Sequence, residues 1–199
     1  ITFLCSPNNP TGNATPVAAI EEILGGIGGV LFLDCAYVEF SGIDYLPLLK
    51  KYDNLIIGRT FSKVHSLAGL RIGYAFVPAW LQPYYQRAST PFTVNSVSAA
   101  AAAAALQDPA HATRYIAQVN KWRKRFIKDV NYPVLPSDAN FVLVDVGPKS
   151  GDAMVAALAQ KGVIVRSCRS FSGLPDRYIR VSIGEDWENE MFIEAVNSI

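Results

Sequence analysis

The sequence predicts an α/β protein: a mainly parallel sheet in a first, larger domain, followed by a smaller α/β domain. Three observations predict it. Short, continuously apolar runs alternate with helical stretches up to about residue 100. The pattern changes after a long helical segment opened by Pro109. Residues with reactive side chains collect where the apolar runs end, as ligand-binding residues do in open parallel sheets.

Taken in order, Ile1–Cys5, Val30–Asp34, Leu55–Gly58 and Ile72–Val77 read as strands covered on both faces, because they lack polar alternation. Between the first two, Thr15 is placed to cap a helix with Pro16 in its first turn, ending at Gly25 and Gly26. Strand, helix, strand at this spacing argues for parallel pairing through right-handed crossovers. Val94 to Leu106 reads as one helix, and its alanine run, Ala99 to Ala105, as a buried one. In the next helix Ile116, Val119, Phe126 and Val130 fall on one stripe, with Arg123 as the exception. After Pro133 and Pro136 come a strand (Asn140–Val146), a helix (Asp152–Lys161), two strands (Val163–Arg166 and Tyr178–Ile183) and a closing helix from Asp186. The expected division is residues 1–108 and 109–199, with a linking helix over about 109–130.

Bulk properties narrow the function. Half of the 199 residues are hydrophobic and 18% are charged, enough to bury a core. A formal net charge of +1 gives no electrostatic footprint for nucleic acid or a membrane surface. No apolar run approaches the ~20 residues that span a bilayer. Cys5, Cys35 and Cys168 have no metal-ligand spacing and form no even disulfide set, which suits a reducing cytoplasm. The chain opens on an apolar strand without Met or a leader pattern, so the C-terminal portion of a longer protein is expected.

Four segments carry chemistry. They are Ser6-Pro7-Asn8-Asn9-Pro10-Thr11-Gly12, Asp34-Cys35-Ala36-Tyr37, Thr60-Phe61-Ser62-Lys63 leading to Gly69-Leu70-Arg71, and Arg180 within Tyr178-Ile179-Arg180-Val181-Ser182. Each has a plain reading alone: a turn, a helix cap, a loop, a surface charge. Together they supply an amide, a carboxylate with a phenol, an amine with hydroxyls and a guanidinium. That set suits an aromatic, phosphorylated aldehyde: the amine condenses with the aldehyde, the carboxylate pairs with a ring nitrogen, and hydroxyls and guanidinium take the phosphate.

The order SPNNPTG, D-x-A-Y, T-x-S-K, G-L-R-x-G-Y and a late R-V-S-I-G resembles the class I/II, fold-type I aminotransferases, nearest their histidinol-phosphate branch. The resemblance implies a three-layer large domain, partial here, and a smaller C-terminal domain. It implies pyridoxal 5'-phosphate as cofactor, small amino and keto substrates, and a cytoplasmic homodimer with shared active sites. Residue by residue, Lys63 would carry the cofactor as a Schiff base and shuttle the proton. Asp34 would hold the ring nitrogen's proton, and Tyr37 and Asn9 would bond the ring's 3-oxygen. Thr60, Ser62 and Arg71 would hold the phosphate, Arg180 the substrate carboxylate and Arg166 a distal substrate phosphate. The expected reaction is histidinol phosphate plus 2-oxoglutarate to imidazole acetol phosphate plus glutamate. A threonine-phosphate decarboxylase, another amino-acid aminotransferase and the aminotransferase-like sensor domain of a transcription regulator are the alternatives that the same motifs admit.

Overall fold

The structure, a computed structural model, describes residues 1–199 and forms two compact units. The first holds Ile1–Pro7 and Ala14–Tyr115, and the second holds Asn8–Asn13 and Ile116–Ile199.

In the first unit, strands β1 (Thr2–Cys5), β2 (Leu31–Asp34), β3 (Leu55–Thr60) and β4 (Gly73–Phe76) form one sheet in that order. The β1–β2 and β2–β3 pairs are parallel, and β4 runs antiparallel to β3. Helix α1 (Val17–Gly26) makes the first crossover and buries Ile20 and Leu24. These pack with Leu31, Leu33, Leu55 and Ile57 of the strands. A core of this kind supplies most of the stabilisation, about 25 cal/mol for each Å² of apolar surface removed from water.

Several expectations need correction here. Coverage on both faces fails for the two edge strands, since β4 is exposed throughout and Phe3 of β1 is 73% exposed. Apolar composition reports what a strand can bury, not what lies against it. Thr15 does not cap α1. Pro16 occupies the N-cap position without a side-chain bond, and Thr15's amide instead donates to Ser6 Oγ at 2.7 Å. The alanine-rich helix α3 (Ser96–Gln107) forms, capped by Asn95, but buries only Ser98 and Ala102. Alanine's helix propensity makes the helix whether or not its faces are covered. A short helix, α2 (Gln82–Ala88), precedes it.

The second unit has an antiparallel sheet of β5 (Phe141–Asp145), β7 (Tyr178–Ser182) and β6 (Arg166–Ser167), in the order β5-β7-β6. The strand expected over Val163–Arg166 pairs only from Arg166 onward. Helix α4 (Pro109–Asp129), within which the two units divide, contributes Val119, Trp122 and Phe126 to the second core. Helices α5 (Gly151–Gln160) and α6 (Asp186–Asn197) add Met154, Leu158, Phe192 and Val196. Arg123, the charged residue in the stripe, donates to the Ser137 and Ala139 carbonyls at 2.7 and 3.4 Å. Carbonyl partners are what let a guanidinium lie among apolar neighbours, and its burial pulls its pKa down.

Candidate functional site

The parallel register puts the ends of three strands in line, with Cys5 opposite Asp34 and Asp34 opposite Gly58. Whatever follows each strand therefore emerges at one edge. Asp34 closes β2, and its Oδ1 accepts the Ala36 amide at 3.0 Å, turning the chain sharply toward Tyr37. Thr60 closes β3, and its Oγ1 accepts the Ser62 amide at 3.1 Å. Residues 61–72 link β3 to β4, and this connection carries both Lys63 and Arg71.

Asp34, Thr60, Ser62, Lys63 and Arg71 line one cleft of about 590 Å³, with Phe32, Tyr74 and Tyr85 among its apolar walls. Gly58 lets the Phe32 ring lie close in its wall, since a Cβ there would stand 2.8 Å from that ring. The Lys63 ammonium lies 5.1 Å from the centre of the Tyr37 ring, so amine and phenol are neighbours. Arg71 adopts a left-handed backbone, φ 49° and ψ 48°, and donates to the Ala68 carbonyl at 3.0 Å. Such a conformation costs a non-glycine residue about 1 kcal/mol or more and is held by its surroundings. Cys35, next to Asp34, is fully buried, and burial pushes its thiol up to about 12, far from thiolate chemistry.

The other predicted residues lie in the second unit. Asn9 sits in the turn Asn8–Asn13, closed by the Gly12 amide donating to the Asn8 carbonyl at 2.7 Å. Gly12 has φ +77° there, and an added Cβ would meet the Ser137 hydroxyl. Arg180 donates from Nη1 to Asn9 Oδ1 at 2.7 Å, its guanidinium 5.0 Å from the Phe141 ring centre. Its Nε is buried with no hydrogen-bond partner. Arg166 is the direct cross-strand partner of Arg180. Both arginines line a second cleft, about 540 Å³, with Val165, Trp187 and Glu188. Like charges opposed on one sheet face repel unless an anion lies between them.

Two residues escaped the sequence reading. Glu39 and Arg59 form a largely buried ion pair at 3.4 Å beside the first cleft, which Arg59 borders. Their signal was present, as single charges within the apolar runs Val38-Glu39-Phe40 and Leu55-Ile56-Ile57-Gly58-Arg59.

Comparison with known proteins identifies the family. A histidinol-phosphate aminotransferase from Methanoculleus marisnigri is 59% identical over all 199 residues, which cover 56% of that protein. The chain thus spans about half the length of the curated relatives it matches. Among solved structures, the histidinol-phosphate aminotransferase from Clostridium acetobutylicum superposes with a TM-score of 0.92 at 25% identity, covering 98% of this chain and 62% of that one. The Sinorhizobium meliloti histidinol-phosphate aminotransferase, solved in complex with pyridoxal-5'-phosphate, gives 0.89 at 30% identity, covering 98% of this chain and 56% of that one. The sequence profile of aminotransferase class I and II matches residues 1–196. Strand order, the chemistry gathered at the strand ends and the match along nearly the whole chain therefore agree: this chain belongs to the class I and II aminotransferases.

Proposed function

We propose that the full-length protein is a pyridoxal-phosphate-dependent aminotransferase that moves the amino group of histidinol phosphate to 2-oxoglutarate, giving imidazole acetol phosphate and glutamate. The observation that carries this reading is the convergence of Lys63, Asp34, Thr60, Ser62 and Arg71 on one cleft. The donor set suits the cofactor group by group: one amine, one carboxylate, two hydroxyls and one guanidinium.

The bound cofactor supplies an electron sink for the pair left when the substrate's Cα–H bond breaks. Lys63 would hold the cofactor covalently, and its amine would carry the proton between the substrate Cα and the cofactor C4′. Asp34 would keep the pyridine nitrogen protonated, the charge that lets the ring accept electrons. Tyr37 would donate to the 3-oxygen, and Asn9, whose Oδ1 already takes the Arg180 bond, keeps its amide nitrogen as a donor. The Thr60 and Ser62 hydroxyls and the Arg71 fork hold the phosphate. In the second cleft, Arg180 takes the carboxylate of glutamate and Arg166 the distal phosphate of histidinol phosphate. The unpartnered Nε of Arg180 supports an anionic ligand there, since a buried guanidinium donor left unpaired is costly.

The proposal extends to a cytoplasmic homodimer with shared active sites. Its support is a set of exposed large apolar side chains, among them Trp80, Tyr84, Phe92 and Val97. No helix is long and apolar enough to cross a membrane. The test is to supply the full-length protein and cofactor with histidinol phosphate and 2-oxoglutarate, and separately with phosphothreonine. Glutamate formation without carbon dioxide is the expected result. Carbon dioxide from phosphothreonine, with no glutamate formed, would assign the fold to a decarboxylase instead.

A further inference from the structure

Beside the first cleft lies a charged pair to which the proposed chemistry gives no task. Arg59 Nη1 and Glu39 Oε1 are 3.4 Å apart, with the two side chains only 16% and 18% exposed. Burial pushes the Glu39 carboxyl up, against a smaller downward pull from its own backbone and from Arg59. Arg59 Nε and Glu39 Oε2 have no hydrogen-bond partner, so the fork makes one bond where its geometry allows two. A pair this enclosed adds little net stability, because desolvation offsets most of its attraction. Its placement is more informative. Glu39 lies in the 3₁₀ turn Val38–Phe40, two residues after Tyr37, between Val38 and Phe40, which are both 2% exposed. Arg59 lies in β3, one residue before Thr60 and four before Lys63. The turn also joins the sheet through the Cys35 amide, which donates to the Gly58 carbonyl at 2.9 Å. The ion pair thus makes a second tie between the turn that carries Tyr37 and the strand that leads to Lys63.

We propose that Glu39 and Arg59 are positioning residues that hold the Tyr37 phenol in place relative to the Lys63 amine, and so set the pH at which the lysine-bound cofactor gains its proton. This rests on the reading of Lys63 and Tyr37 given above. A phenol held on the cofactor's 3-oxygen favours the deprotonated form of the linkage, so loosening it raises that pH. A bare charge effect has the opposite sign or none. Removing the Glu39 carboxylate disfavours a nearby cation and lowers the midpoint, and Arg59→Lys, which keeps its charge, leaves it alone.

The experiment is a pH titration of the visible absorption band of the full-length, cofactor-loaded protein, with thermal unfolding of each variant alongside. Glu39→Gln and Arg59→Lys should each raise the midpoint by about half a pH unit or more, and neither should raise it further in a Tyr37→Phe background, the pattern expected of residues acting through one another. A fall or no change in the folded variants, or an equal rise with and without Tyr37, overturns the proposal. If one variant does not fold, the other decides by the same criteria. A wild-type protein without a titrating visible band counts instead against Lys63 as the cofactor's residue. A Tyr37→Phe midpoint equal to wild type removes the route through the phenol, and the proposal with it.

Discussion

The cleft at the ends of the parallel strands and the cleft beside β6 and β7 are similar in size, about 590 and 540 Å³, but are furnished differently. The first gathers an amine, a carboxylate, hydroxyls and a guanidinium from two strand ends and one connection. The second is lined by two arginines that are direct cross-strand partners, Arg166 and Arg180. Topology accounts for the contrast. Parallel strands end together, so each contributes whatever follows it, and unlike groups meet. Antiparallel partners place residues directly opposite, so two cations can be set at one spacing. The first arrangement suits bond making and proton movement. The second suits reading an anion.

If this division holds, variants should separate by kind as well as by size. Lys63→Ala should have the largest effect, lowering kcat by several orders of magnitude, because covalent partner and proton carrier vanish together. Single-turnover absorbance of the loaded full-length protein would measure it. Asp34→Asn should come next, with cofactor retained and the half-reaction slowed by about a hundredfold or more, since an amide cannot carry the charge that keeps the ring nitrogen protonated. A near-wild-type rate in Asp34→Asn would mean that another acid does this work.

The second cleft should respond in specificity. Arg166→Ala should lower kcat/KM for histidinol phosphate by ~1.5–3 kcal/mol while leaving the glutamate half-reaction nearly intact. Arg180→Ala should impair the glutamate half-reaction. Equal small losses for both substrates in Arg166→Ala would remove the distinction between the two clefts.

A smaller effect comes from His65, packed 5.1 Å from the Phe61 ring centre. Burial, with the charge of His111 second, holds its pKa below the ordinary 6.5. The folded state then binds fewer protons than the unfolded one, so this group's contribution to stability is lost as pH falls through and below 6.5. His65→Phe keeps a ring in place and removes the titration. Its Tm should fall less than that of wild type as pH drops from about 7 to about 5.5.

How far all this could be read from the sequence depends on the range of the forces involved. The apolar strands, the order of the motifs and the helices with clear caps or stripes are local features, and they appear in the structure where the pattern puts them. What failed was what depends on distant neighbours. The exposure of Phe3 and of β4 could not be seen in their composition, nor could the shortness of β6, which pairs only at Arg166 and Ser167. Thr15 looked like a cap, but its amide is taken by Ser6, nine positions away. Among the proposed site residues, Asp34, Thr60, Ser62, Lys63 and Arg71 share a cleft because the motifs follow aligned strands. The pairing of Arg166 with Arg180 needed the sheet register. So did Glu39 with Arg59, where the only trace was a charge inside each of two apolar runs.

The central claim is that Lys63 is the residue that binds the cofactor, and one measurement addresses it directly. The full-length, cofactor-loaded protein is reduced with borohydride, digested, and its pyridoxyl-labelled peptide located by mass spectrometry. The account predicts one label, on Lys63, absent from Lys63→Ala. A label on any other lysine, or none in a protein that retains its visible band, would contradict it.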